Sequence, residues 1–299
     1  MKLLGSHTPH LPPSGHPLLR AARRRGTGRG GAFTLVELLV VLAIIGLLAA
    51  ILLPTLAGAK RRAEGAACKS NLRQITLGAI MYTGDNDGQL PWNLSDSYYF
   101  LPFDKVPGWT KHWLDYDPNN HVNTNASYLV GVGGGRLGAY NTDIRSYHCP
   151  SDRSVVTING TPYPRTRSYA MNMFMGNHGT GFTTQRKGIY SMAWMHEVSR
   201  PSHFFYFVDV HEDSISGGFF GVSDPALDDW YWGSLPGSRH GPAANLSFLD
   251  GHVETKRWLD KRTLIPHTGK QIIYPPRQPG NQDIVWLRDR ATIPRQPSP

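Results

Sequence analysis

Ten of the thirteen histidines lie beyond residue 32, so metal binding and acid–base chemistry are the first functions to consider. His196-Glu197 and His211-Glu212 each open an H-E-x-x-H pattern, which in a zinc protease sets two imidazoles on one helix face with the glutamate as base. Arg200 and Ile215 occupy the positions of the second histidine, so neither pattern is completed. Asp209, His211, Glu212 and Asp213, with Asp228 or Asp229, offer donors for a cation, but solvated loop charges explain the group equally well. His240 and Asp250 are separated by nine residues. If residues 244–249 form a strand turned by Asp250-Gly251, the pair sits at opposite strand ends and an acid–base role needs a third group. Gly133-x-Gly135-x-x-Gly138 matches the dinucleotide fingerprint by letter, yet lacks the strand–helix context and reads as a flexible loop. Neither a G-x-S-x-G elbow nor a P-loop is present, so no catalytic role, cofactor or metal is expected.

The elements that would position these residues begin with residues 30–54, GGAFTLVELLVVLAIIGLLAAILLP. From Phe33 to Leu53 only Thr34 and Glu37 interrupt the apolar run, and its 21 residues rise about 31 Å as a helix, enough for a bilayer. A carboxylate at the centre of such a helix costs roughly 2.5–3.5 kcal/mol. The run exceeds the usual hydrophobic stretch of a cleaved secretory signal, although Ala57-Gly58-Ala59 keeps that reading open beside a signal anchor or a segment cleaved on its N-terminal side. Residues 1–32 carry Lys2, Arg20, Arg23, Arg24, Arg25 and Arg29 without an acid, and removing them leaves +3 of the formal +9. The basicity is therefore a flank that should stay cytoplasmic and send the C-terminus across, and it does not mark a nucleic-acid partner. Lys60, Arg61 and Arg62 oppose this orientation without reversing it.

The segment F-T-L-V-E-L-L-V-V-L-A-I-I, with Glu37 fifth and Pro54 twenty-second from Phe33, resembles the processing site of type IV pilins and type II secretion pseudopilins. The resemblance implies that a prepilin peptidase removes the leader, that Phe33 becomes the methylated N-terminus, and that Glu37 neutralises the amine of a neighbouring subunit. Gly is usual before the Phe, whereas this chain has Ala32 preceded by Gly31; cleavage at Ala32/Phe33 keeps Glu37 in register, and cleavage after Gly31 is the alternative. Three further stretches, Cys149-Pro-Ser-Asp152, Ser168-Tyr-Ala-Met-Asn172 and His240-x9-Asp250-Gly251, resemble a group of bacterial prepilin-like proteins named for that last element. In that group the two cysteines corresponding to Cys68 and Cys149 occur together, which implies a disulfide between them.

Beyond the span, Pro54 should kink the helix or interrupt its ladder locally. Cys68, Leu72, Ile75, Ala79 and Tyr82 then recur at helical spacing and predict a face packed against a sheet, with the helix ending near Gly84. Asp85-Asn86-Asp87-Gly88 reads as the terminating turn, because Asp96 stands where a calcium loop needs glutamate. Short apolar runs follow, among them a strand within 202–208 and the hairpin 244–258. The expected fold class is α+β: a long N-terminal helix on an antiparallel sheet, pilin-like, with loop-rich insertions. The expected organisation is a leader (1–32), a transmembrane and amphipathic helix (33–84), a globular domain (85–275) and an irregular Pro-rich tail (276–299).

The implied function is a processed, membrane-anchored structural subunit of a type II secretion or pilus-like system. Its partners would be the prepilin peptidase, other pilin or pseudopilin subunits and membrane lipid. It would be held in the inner membrane with the leader cytoplasmic and the C-terminal domain periplasmic. The alternative is a minor tip subunit whose Trp92, Trp109, Trp113, Trp230 and Trp232 engage a carbohydrate or another surface.

Overall fold

In the computed structural model, residues 34–93, 108–131, 133–176, 191–223, 230–272 and 275–293 are described, and every statement below concerns these. Helix α1 (Leu35–Asp85) opens the chain, and its residues fall into two compact units, 1–52 and 53–299. In the first unit α1 begins with a capping box. Thr34 Oγ1 accepts from the Glu37 amide at 3.2 Å, while Glu37 Oε2 accepts from the Thr34 amide and hydroxyl, each at 2.8 Å. Two otherwise orphaned donors at the helix start are thereby satisfied. Leucine, isoleucine, valine and alanine carry the helix onward, and none of its most apolar stretch is buried within the structure.

The second unit holds the rest of α1, from Leu53, with Pro54 inside the helix. Proline there removes one ladder donor. The stripe Cys68, Leu72, Ile75, Ala79 and Tyr82 is buried, as its spacing predicts. The helix stops at a tight turn in which the Gly88 amide bonds to Thr83 O at 2.9 Å, with Asp87 and Gly88 both at positive φ.

A five-stranded sheet receives that stripe. Its strands are β3 (Tyr169–Asn172), β4 (Phe205–Asp209), β5 (Phe219–Phe220), β6 (Ala243–Phe248) and β7 (Val253–Arg257), ordered β5-β3-β4-β6-β7. Only β3 and β5 pair in parallel. A separate hairpin joins β1 (Val155–Ile158) and β2 (Thr161–Pro164). Strand alternation divides the core: Tyr169 and Met171 pack with the α1 stripe, whereas Ala170 faces the opposite side. On β4 a register shift between Phe205 and Phe207 lets Tyr206 and Phe207 both face α1. A bulge has this effect because its extra residue breaks the two-residue period. The β6–β7 hairpin pairs Ala243 with Arg257 through Ser247 with Val253, matching the reading of Asp250-Gly251 as its turn.

The far face of the sheet is covered by helix α2 (Gln282–Asp289), in a region expected to be irregular. Asn281 caps it by accepting from the Asp283 and Ile284 amides, and Ile284, Leu287 and Ala291 are fully buried. The proline-rich flanks obscured this short amphipathic stretch, whose apolar positions are spaced by three and four. Gly135, expected in a flexible loop, presses on the Trp109 backbone so closely that a Cβ would lie 2.2 Å from Trp109 O. Close packing therefore holds that segment.

Replacing Leu287 by Ala should cost about 2–5 kcal/mol. Val285→Ala, on the half-exposed face of α2, should fall within about 0.5 kcal/mol. Thermal denaturation of the full chain in detergent checks the contrast.

Candidate functional site

Two regions carry the residues singled out in the sequence. In the first, Gly31, Ala32 and Phe33 lie outside the described residues, and Glu37 sits on the first turn of α1, bonded to Thr34. That T-x-x-E capping box was readable from Thr34 and Glu37 and supplies a local reason for the carboxylate beside the assembly role that the resemblance implies.

The second region is a buried polar cluster in the unit that begins at Leu53. Cys68 comes from α1, Cys149 from the segment after the 3₁₀ turn Ile144–Tyr147, Asp209 from the end of β4, and His240 from the loop entering β6. Their ligating atoms all lie within 4.8 Å of one another. His240 Nε2 is 3.4 Å from Cys149 Sγ and 3.4 Å from Asp209 Oδ2. Cys68 and Cys149 are both buried thiols, so the disulfide implied by the resemblance is not formed in the structure, although the two sulfurs are neighbours. Tyr169 donates its hydroxyl to Cys68 Sγ at 3.3 Å.

Buried charge surrounds the four. Arg239 pairs with Asp209 Oδ1 and, at 3.2 Å, with Glu212 Oε2. Asp152 accepts from the Ser168 hydroxyl at 2.6 Å and the Ser154 amide at 2.9 Å, and Ser168 Oγ in turn accepts from the Cys149 amide at 3.0 Å. Burial alone would raise Asp152, but Arg239, His148 and the side chains of Ser168 and Ser154 hold its pKa at about 2. Burial, reinforced by Asp152 and Asp213, pushes Glu212 up to about 7. The Cys68 thiol is driven up by burial and by its neighbour. Cys149 is driven down by the hydrogen bond from Cys68, and, against the opposing effect of burial, by His240 and Arg239. Gly237 makes room here, since a Cβ would lie 3.0 Å from the Asp209 carboxylate.

The other candidates separate. Asp250 bonds His252 Nδ1 at 2.6 Å across the turn, with Gly251 at φ 91°, while His240 sits at the opposite end of β6. The third group that His240 required is thus Asp209 with Cys149, and Asp250 is a turn residue. The acidic group near 209–213 is split by hydrogen bonding. His211 Nε2 meets Ile265 O at 2.8 Å, and Asp213 accepts from the Thr268 hydroxyl and the Gly269 amide at 2.8 and 3.0 Å. Asp228 and Asp229 lie outside the described residues. Of the five tryptophans proposed for surface binding, Trp109 and Trp232 are fully buried core side chains, which removes them from any such surface. Sequence reading missed the role of Arg239, whose only signal was its position beside His240.

Arg239→Leu should destabilise the chain by about 3–5 kcal/mol, because it leaves Asp209 buried without its counter-charge. Gly237→Ala should cost about 1–3 kcal/mol through the same carboxylate. Melting of both variants in detergent, read against the parent chain, checks the pair.

Comparison with known proteins gives a family match in the first region. Residues 29–53 match the family described as the prokaryotic N-terminal methylation motif. Over 55 residues the chain is 44% identical to the type IV wide pilus major component PilA4 of Thermus thermophilus, covering 18% of this chain and 42% of that protein. The chain thus spans less than half the length of this curated relative. No solved structure matches. A long N-terminal helix on an antiparallel-rich sheet, headed by the methylation motif, makes this an α+β chain that is type IV pilin-like in its N-terminal segment.

Proposed function

We propose that the chain is a peptidase-processed, membrane-anchored pilin-like subunit that assembles through the N-terminal part of α1 into a pilus or type II secretion filament. What supports this reading is the conjunction of the methylation motif at 29–53 with a helix whose most apolar stretch finds no cover among the described residues. Cleavage between Ala32 and Phe33 creates a positive amine about one helical turn from Glu37. Until a neighbouring subunit arrives, Thr34 satisfies the carboxylate; on assembly, Glu37 exchanges that contact for the neighbour's amine. The gain is large because an unpaired ion in hydrocarbon is costly. Flanking arginines keep the leader cytoplasmic and the body on the other side of the inner membrane. The role is structural, with the prepilin peptidase, sister subunits and lipid as partners.

Mass spectrometry of the mature chain should find an N-methylated Phe33 terminus, and an intact leader would refute the processing step. Glu37→Ala should remain cleaved and membrane-inserted yet disappear from the sheared filament fraction. Normal incorporation of that variant would refute the role given to Glu37.

A further inference from the structure

We propose that Cys68, Cys149, Asp209 and His240 form a closed, four-coordinate zinc site that fastens the C-terminal half of α1 to the sheet. Tetrahedral zinc, with bonds of about 2.0–2.3 Å, places neighbouring ligand atoms roughly 3.3–3.8 Å apart. The two distances that His240 Nε2 makes, to Cys149 Sγ and to Asp209 Oδ2, are both 3.4 Å, and all four ligating atoms fall within 4.8 Å of one another. Two sulfurs with an imidazole and one carboxylate oxygen form a donor set suited to zinc rather than to calcium or magnesium, which prefer oxygen alone.

A disulfide between the same cysteines would leave the site worse satisfied. Asp209 Oδ2 is fully buried and accepts no hydrogen bond, although Oδ1 is paired with Arg239. Nε2 of His240 is directed at that oxygen and at Cys149, and neither contact is replaced when sulfur bonds to sulfur. A divalent cation engages all four atoms. The cation would offset the charge of the two thiolates, while Arg239 already faces the Asp209 carboxylate. Outer contacts fit a metal-bound sulfur. Tyr169 donates to Cys68 Sγ, and buried Asn245 Nδ2, otherwise without a partner, lies on the helix-facing side of β6 beside Cys68. Such donors orient and tune first ligands. A cleft of about 470 Å³ bordered by Gly65, Ala66, His240, Gly241 and Asn245, with Arg61, Arg62 and Lys69 on its rim, adjoins the imidazole.

The test uses the full chain, extracted in detergent under nitrogen without chelator or reductant. Elemental analysis should find one zinc per chain. Exchange for cobalt(II) should give tetrahedral d–d bands with a thiolate-to-cobalt charge-transfer band. Chelator should release the metal, expose two thiols and lower the melting temperature. Cys68→Ser and His240→Gln should lose the bound metal, and Asp209→Asn should weaken it. If these variants do not fold, the cobalt spectrum and thiol count of the unaltered chain decide the matter. A Cys68–Cys149 disulfide in the isolated chain, or two free thiols giving no thiolate–cobalt band, overturns the proposal. Filament assembly is not part of the readout, so the result is independent of the function proposed above.

Discussion

The second unit depends on one contact, the burial of a single face of α1 against the sheet. Cys68, Leu72, Ile75 and Ala79 are completely buried there and Tyr82 nearly so. Each large apolar side chain removed from water contributes on the order of 1.5–3 kcal/mol, so this seam is a main source of stability for a body otherwise rich in loops. The seam is not uniformly apolar. Thr76 donates to Ser247 Oγ at 2.6 Å, tying the helix to β6 through a buried hydroxyl pair. β6 supports this division because Ala244, Leu246 and Phe248 face the other core, leaving Asn245 and Ser247 on the helix side.

At the upper end of the same seam, polar chemistry replaces hydrophobic packing. Three elements distant in sequence from α1 bring Cys149, Asp209 and His240 to Cys68. Arg239, Asp152, Asp209 and Glu212 form a buried charge network beside it. Such a network is costly unless its members are paired, and most are: Asp152 by Ser154 and Ser168, Asp209 by Arg239. Glycine at 237 suits this packing, since a Cβ there would lie 3.0 Å from the Asp209 carboxylate, a tight contact. Helix attachment and buried polar cluster are therefore two parts of one joint.

The N-terminal segment obeys a different physics. Its side chains are apolar around the helix, so they cannot be buried by a single sheet face; they need lipid or other helices. The methylation motif spanning 29–53 lies in this segment, in keeping with a region whose sequence is governed by processing and environment. Thr34 and Glu37 add a local device, since a carboxylate that caps its own helix is held in place before any partner is available.

Features set by local periodicity were legible in the sequence. The apolar span, the Cys68–Tyr82 stripe, the turn at Asp87-Gly88 and the Asp250-Gly251 hairpin all follow from spacing or turn chemistry acting over a few residues. Helix α2 was missed although Asn281 and the spacing of Ile284, Leu287 and Ala291 encode it, because proline on both sides masked a short amphipathic signal. His240 was recognised without its partners: Cys149 and Asp209 come from other elements, and no spacing rule links residues joined only by strand order. Tertiary structure alone decided that His240 meets Asp209 rather than Asp250, and that two cysteines, a histidine and an aspartate share one buried pocket. Periodicity determines which face of an element is apolar, whereas long-range packing determines which buried polar groups find one another.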